Sequence, residues 1–143
     1  MKYYIIAGEA SGDLYGSRLI DEIKSIDREA NIRFWGGDKM ILSGGFNVKH
    51  IKELAFMGFY EVLKNIFTIR KNINFCKKDI CDFNPDKIIY IDYPGFNLLI
   101  SKWAKKKGFK NYYYISPQIW AWKENRIKTI KENIDKLYVI FPF

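Results

Sequence analysis

Short apolar stretches alternate with longer amphipathic ones along the chain. The stretches of strand length occupy residues 3–7, 31–35, 46–49, 87–92, 110–115 and 136–140. Between them, apolar residues recur mostly at three- and four-residue steps, a periodicity that predicts helices. The first predicted helix ends near residue 29, and others cover 38–45, 59–83, 96–107 and 123–134, the last with Ile127, Ile130 and Ile134 as its inner stripe. This alternation predicts an α/β fold: a doubly wound, Rossmann-like parallel sheet with helices on both faces.

Sheets of this class bind ligands outside the carboxyl ends of their strands. Four predicted turns directly follow a strand, at residues 8–13, 36–37, 92–97 and 116–122. We therefore expect a functional site to be built from these turns.

The turn at 8–13 has the sequence GEASGD. It lacks the GxGxxG spacing of a dinucleotide fingerprint and the Lys-Ser/Thr pair of a P-loop. The carboxylates of Glu9 and Asp13 would repel a phosphate at the helix N-terminus. Together with the small residues Ser11 and Gly12, they suit a hydroxyl-rich sugar better. The alternative is that Ser11 or Asp13 only caps the helix.

Asp92 directly follows the buried apolar run of the fourth strand. Burial raises the pKa of a carboxyl group, and with it the basicity that a general base near neutral pH requires. The turn Tyr93-Pro94-Gly95 is expected to expose both Asp92 and Asn97 to the crevice. The alternative is that Asp92 caps the next helix.

Two aromatic-rich segments add apolar surface. The turn at 116–122, SPQIWAW, offers the flat face of Trp120 beside the polar groups of Ser116 and Gln118, which suits a sugar or acyl-sugar ligand. Alternatively, its tryptophans belong to the core. The segment at 55–60, which includes Met57, is either a helix lead-in packed on the core or a surface that contacts acyl chains or membrane.

The positive charge of the chain is concentrated in one region. The net charge is +8, and residues 102–136 contain ten basic and three acidic side chains. Nineteen of the 24 basic residues are lysine, whereas proteins that read bases or clamp phosphates favour arginine. We therefore expect solvated helix faces, an anionic membrane surface or a lipid phosphate here, and no nucleic acid.

Few other residues of the chain are candidates for metal binding, disulfide formation or catalysis. The chain has one histidine, His50, and two cysteines, Cys76 and Cys81, which are five residues apart in one predicted helix. A helix directs such cysteines to different sides, and one histidine cannot supply a zinc spacing. We expect no disulfide, no metal site and a structural role for His50. Apolar runs are too short for a membrane span or a signal peptide, so we expect a cytoplasmic chain.

Together these segments resemble the lipid-A-disaccharide synthase family of inverting glycosyltransferases. The resemblance rests on the Gly-Gly after the second strand and on AGEASGD (7–13), LAFMGFYEVL (54–63), PDKIIYIDYPGFN (85–97), YYISPQIWAWKENRIKTI (113–130) and FPF (141–143). One departure is Gly95, where some members carry a second aspartate.

The resemblance implies a GT-B fold, with 1–143 as its N-terminal, acceptor-side domain and the C-terminal UDP-sugar-binding domain absent from this chain. It implies transfer of diacylglucosamine from UDP-2,3-diacylglucosamine to the 6-hydroxyl of lipid X, giving lipid A disaccharide 1-phosphate in lipopolysaccharide biosynthesis. It implies no metal or other cofactor. The enzyme is expected as a peripheral protein on the cytoplasmic face of the inner membrane, and this chain alone is expected to be inactive.

The resemblance also implies site residues. It implies that Asp92 is the catalytic general base. The substrate-binding residues are Glu9, Ser11, Gly12, Asp13, Met57, Asn97, Ser116, Gln118 and Trp120.

Two other functions stay open on the sequence. One is a basic α/β module that binds membrane or RNA through residues 102–136 without catalysis. The other is a stand-alone, flavodoxin-like nucleotide-binding protein, against which the missing phosphate loop argues.

Overall fold

A parallel six-stranded sheet forms the centre of the structure, a computed structural model that describes residues 1–54, 66–115 and 124–139. The strands are β1 (Lys2–Ala7), β2 (Asn31–Gly36), β3 (Phe46–His50), β4 (Lys87–Ile91), β5 (Asn111–Ile115) and β6 (Lys136–Val139). The helices are α1 (Ala10–Ile26), α2 (Asp38–Ser43), α3 (Ile66–Phe83), α4 (Pro94–Lys106) and α5 (Glu124–Asn133), with a short 3-10 helix at Ile51–Glu53.

The strand order is β3-β2-β1-β4-β5-β6, and every neighbouring pair is parallel. This order confirms the predicted doubly wound, Rossmann-like sheet. The chain leaves β1 toward one edge of the sheet and leaves β4 toward the other. The point where two such neighbours diverge opens a crevice at their carboxyl ends, the usual ligand site of this fold.

Side chains of successive strand residues point to opposite faces, which gives the sheet two cores. The face that carries α3, α4 and α5 buries a large aromatic cluster that includes Tyr4, Trp35, Tyr90, Phe96 and Tyr113. The face that carries α1 and α2 buries mainly aliphatic residues, among them Ile5, Ile20, Ile32, Met40 and Ile91.

A polar network ties α3 to the aromatic face. The Tyr4 hydroxyl donates to Asp79 Oδ2 over 2.8 Å and accepts from Trp35 Nε1 over 2.8 Å. Arg33 completes the network through two hydrogen bonds to the Asp79 carboxylate, of 2.6 and 3.2 Å. Because the Tyr4 and Trp35 side chains are fully buried, these contacts supply the partners that their polar atoms need.

Several predicted boundaries need correction. Helix α1 ends at Ile26 rather than near 29, and α4 begins at Pro94, since proline fits the first turn of a helix. Ile127 is not part of the inner stripe of α5: it is 37% exposed, whereas Ile130 and Asn133 are buried. The predicted helix 59–83 is described only from Ile66 onward.

Both cysteines are free thiols, with Cys76 buried and Cys81 exposed, as their helical spacing predicts. Burial raises the pKa of the Cys76 thiol.

Candidate functional site

The turns after β1 and β4 meet at the crevice. The Tyr93 ring lies directly over Gly8, so that a Cβ at Gly8 would be 2.5 Å from ring atoms. Glycine is therefore required at this contact, and the two turns are packed against each other. Burial raises the pKa of Tyr93, and the negative charge of Glu9 raises it further, which indicates that Glu9 is close to the same ring.

The first turn presents exposed polar groups. Glu9 is the N-cap residue of α1, yet its side chain makes no capping hydrogen bond. Glu9 and Ser11 are exposed, whereas Gly12 is buried against Ala7 and Ile91. The alternative that Ser11 or Asp13 only caps α1 is therefore wrong, since Glu9 occupies the N-cap position.

Asp13 caps a different helix. Its side chain is buried, and Oδ1 accepts from the backbone N–H groups of Gly37 at 2.8 Å and Met40 at 3.0 Å. Oδ2 accepts from the N–H of Lys39 at 3.1 Å. The carboxylate thus satisfies the first N–H groups of α2. A substrate contact by Asp13 stays a prediction.

Asp92 directly follows β4, and its backbone conformation is unusual. Its N–H still donates to the Tyr114 carbonyl at 2.9 Å, which continues the β4–β5 pairing. Its φ is 42° and that of Tyr93 is 51°, so two consecutive residues with side chains adopt the left-handed region. Such backbone strain clusters at functional sites.

Two buried side chains donate to the Asp92 carbonyl oxygen. The Tyr113 hydroxyl lies 2.6 Å from it and Asn97 Nδ2 lies 2.8 Å from it. The Asn97 amide also reaches the carbonyl of Ile6 at 3.3 Å and that of Ile91 at 3.5 Å. Asn97 is fully buried, so the expectation that it is exposed in the crevice is wrong: its NH2 group serves backbone carbonyls.

The Tyr113 hydroxyl is influenced by several charged groups. Burial raises the pKa of its hydroxyl, the charges of Asp92 and Glu9 raise it further, and Arg126 in α5 opposes them. Among the described residues, the carboxylates of Asp92 and Glu9 and the guanidinium of Arg126 thus act electrostatically on this buried phenol. Nothing in the sequence indicated that the crevice would involve Tyr93, Tyr113 and Arg126, because each fits an ordinary turn, strand or helix pattern.

An apolar hollow of about 280 Å³ lies between α1 and the ends of β4 and β5. It is lined by Tyr15, Leu19, Ile91 and Tyr114, together with Arg18 and Glu22. Ile91 directly precedes Asp92, so the hollow is adjacent to the crevice.

His50 lies at the end of β3, and both of its ring nitrogens have partners. Nε2 is 2.9 Å from Asp38 Oδ1, and Nδ1 accepts from the N–H of Lys52 at 3.1 Å. The hydrogen bond to His50 lowers the pKa of Asp38. This use of both nitrogens agrees with the structural role expected for His50.

Five exposed lysines of the basic region lie at the edge of the sheet opposite the crevice. Helix α4 runs back along the sheet, so its C-terminal lysines are at the edge where the strands begin. Lys105 Nζ is 3.3 Å from Asp135, just before β6. We call the exposed set at this edge the amino-edge lysines: Lys105, Lys106, Lys107, Lys110 and Lys136.

In the described part of the chain, no group of three or more His, Cys, Asp or Glu side chains is arranged to hold a metal ion. Within the same residues, no helix has the length and apolar character needed to cross a bilayer.

Comparison with known proteins identifies the family. Residues 3–143 match the family described as lipid-A-disaccharide synthetase. The chain belongs to this family. Curated relatives named lipid-A-disaccharide synthase include those of Trichlorobacter lovleyi, 44% identical over 139 residues, and Geobacter metallireducens, also 44% identical over 139 residues. That of Coxiella burnetii is 42% identical over 139 residues. Each alignment covers 97% of this chain.

The chain spans only 36–37% of the length of these relatives. The family assignment confirms the resemblance on which the sequence-based predictions rest.

Solved structures confirm the fold. A UDP-GlcNAc 2-epimerase from Neisseria meningitidis, solved with UDP-GlcNAc bound, matches with a TM-score of 0.64 at 12% identity, over 97% of this chain and 40% of that protein. A putative UDP-N-acetylglucosamine 2-epimerase from Listeria monocytogenes matches with a TM-score of 0.66 at 8% identity, over 97% and 39%. At these identities the likeness concerns the Rossmann-like fold alone.

Four of the predicted lipid-A-disaccharide synthase site residues lie outside the described residues. They are Met57, Ser116, Gln118 and Trp120. Of the others, the structure brings the turn that holds Glu9 and Ser11 together with Asp92. Asp13 and Asn97 are buried, where they accept from the N–H groups of α2 and donate to the Asp92 carbonyl, respectively.

Proposed function

We propose that this chain is the N-terminal, acceptor-side domain of a lipid-A-disaccharide synthase. The proposed reaction transfers diacylglucosamine from UDP-2,3-diacylglucosamine to lipid X. One observation carries the proposal: in a member of this family, the turn that holds Glu9 packs through Gly8 against Tyr93, the residue after the half-buried Asp92, where β1 and β4 diverge.

Asp92 is the proposed general base. It would accept the proton of the 6-hydroxyl of lipid X while that oxygen attacks the anomeric carbon of the donor. The new C–O bond forms as the bond from the anomeric carbon to UDP breaks, and UDP leaves with the electron pair. A base at hydrogen-bond distance from the attacking hydroxyl contributes roughly 10²–10⁴ in rate.

The surroundings of Asp92 support a glycolipid acceptor. Exposed Glu9 and Ser11 offer acceptors and a donor for sugar hydroxyls. The hollow lined by Leu19, Ile91 and Tyr114 offers apolar surface next to the crevice, which suits a hydrocarbon chain.

The donor nucleotide is proposed to bind in a second, C-terminal domain, so this chain alone should not turn over. Isothermal titration of UDP onto the chain should show no tight binding. Micromolar affinity would contradict this division of the two substrates.

Peripheral attachment to the cytoplasmic face of the inner membrane is part of the proposal. The exposed amino-edge lysines support it, since lysine near an anionic lipid surface contributes about 1 kcal/mol each.

The test uses a hybrid in which this chain replaces the matching residues of the Geobacter metallireducens relative. The folded hybrid should form the disaccharide, and Asp92→Asn should lower its turnover roughly 10²–10⁴-fold. Asp82→Asn, an exposed carboxylate at the end of α3, is the matched control and should leave turnover unchanged. A folded but inactive hybrid would contradict the domain assignment, and near-normal turnover of Asp92→Asn would remove Asp92 as the base.

A further inference from the structure

The bend at Asp92 and Tyr93 needs support from its surroundings. Both residues have positive φ, a region that residues with a Cβ rarely adopt. Neither is glycine, and the two follow each other directly. A bend of this kind persists only where neighbouring groups favour it over the extended alternative.

Two short hydrogen bonds at this bend converge on one atom. The carbonyl oxygen of Asp92 accepts from the Tyr113 hydroxyl at 2.6 Å and from Asn97 Nδ2 at 2.8 Å. Both donors are fully buried, where a hydrogen bond is stronger than in water and an unpaired donor is costly. The carbonyl is thus held toward the interior of the aromatic face.

The two donors are themselves fixed. The Tyr113 ring stacks on Tyr90 with centroids 5.7 Å apart. The Asn97 amide is anchored to the carbonyl of Ile6 in β1, in the neighbouring strand. Neither donor is free to follow the Asp92 carbonyl if the backbone relaxes, so the bend is favoured by two rigid partners.

We propose that Tyr113 and Asn97 are positioning residues, which hold the Asp92 carbonyl inward and thereby direct the Asp92 carboxylate into the crevice. This inference rests on the proposed function, in which Asp92 is the base. The angle φ sets the direction of the Cα–Cβ bond relative to the strand, so a return of Asp92 to negative φ would move its carboxylate. A displacement of about 1 Å at a reacting group can lower a rate roughly 10²-fold.

The first experiment uses the chain itself and needs no activity. Tyr113→Phe keeps the ring and removes only the hydroxyl. Tyr90→Phe is the matched control, because it also removes a buried hydroxyl, whose hydrogen bond runs to Asn111 Oδ1 over 2.8 Å. Three-bond and one-bond couplings measured by NMR report φ at Asp92 and Tyr93. The carboxyl carbon shift reports the titration of Asp92.

We expect Tyr113→Phe to shift the couplings of Asp92 and Tyr93 toward negative φ and to change the titration midpoint of Asp92. Tyr90→Phe should change neither. If both variants fold and Tyr113→Phe leaves the couplings and the midpoint as they were, the proposal is wrong. Equal changes in both variants would also overturn it, since they would reflect general loosening of the aromatic core.

The second experiment measures turnover in the hybrid. Tyr113→Phe should lower kcat about 10- to 100-fold while KM stays within about twofold, and Tyr90→Phe should leave both unchanged. Altered couplings with an unchanged kcat would overturn the catalytic part of the inference. Failure of the proposed function is distinguishable, because normal turnover of Asp92→Asn would remove the base while leaving the NMR result in place.

Discussion

The carboxylate of Asp13 lies 2.8 Å from the backbone nitrogen of Gly37, and this contact joins the first two β–α units of the sheet. Asp13 belongs to the first turn of α1, while Gly37 begins the turn into α2. One side chain therefore fixes the start of a helix that follows it by more than twenty residues in the chain.

Replacement of Asp13 should destabilise the fold. Asp13→Ala leaves three N–H groups at the start of α2 without their acceptor, so we expect the free energy of unfolding to fall by about 2–3 kcal/mol. Asp21→Ala, an exposed position on the same helix, should change it by less than about 0.5 kcal/mol. Urea denaturation followed by circular dichroism measures both, and equal small losses would contradict the capping role.

The network around Tyr4 predicts a second loss of stability. Tyr4→Phe leaves the buried indole N–H of Trp35 without its acceptor, which should cost about 1–3 kcal/mol. Tyr3→Phe is the control on the opposite face, because the contacts of its hydroxyl with described residues are longer, at 3.4 Å to Asp27 and 3.6 Å to Met1. Urea denaturation measures the loss of stability in both variants. If Tyr3→Phe lowers the free energy of unfolding as much as Tyr4→Phe does, the role assigned to the network is wrong.

Alkaline pH should unfold the chain through its buried tyrosines. Burial raises the pKa of Tyr4, Tyr90 and Tyr113 above that of an exposed tyrosine. The folded chain keeps these protons while the unfolded chain releases them above about pH 10, so the free energy of unfolding falls as pH rises beyond that point. Tyrosinate absorbance should rise in two stages, the second together with loss of the helical signal. A single transition near pH 10 with intact helices would disprove this account.

Membrane binding should depend on the amino-edge lysines. The chain should bind anionic vesicles but not neutral ones, and salt should weaken the binding. Replacing Lys106, Lys107 and Lys110 by glutamine should weaken it about 100-fold. Replacing the exposed Lys39, Lys52 and Lys71 changes the net charge equally and should have a smaller effect.

Equal effects of the two triple variants would show that net charge alone governs vesicle binding. A steep, salt-dependent affinity for RNA would instead favour the nucleic-acid alternative.

Much of the fold follows from local pattern. A short apolar run such as 87–91 within a strand–helix alternation indicates a buried strand, which places Asp92 after it at the carboxyl edge of a parallel sheet. The left-handed conformation of Asp92 was not predictable, because it depends on Tyr113 and Asn97, which reach it only after β5 pairs with β4 and α4 folds back. The contact of Asp13 with the start of α2 was unpredictable for a similar reason. The position of Asp13 in the sequence shows that it belongs to α1, but not which neighbouring helix its side chain reaches.

The buried amide of Asn97 has a consequence for how the molecule assembles. Asn97 bonds Ile6, which is 91 residues earlier in the chain, as well as Ile91 and Asp92. Ile91 and Asp92 are close to Asn97 in the chain, whereas the Ile6 carbonyl is reached only when β4 has docked beside β1 in the correct register. A slip of one residue between β1 and β4 would remove the hydrogen bond to Ile6 and leave only the two acceptors on its own segment. The pairing of β1 with β4 that this amide requires is also the pairing that brings the two turns of the crevice together.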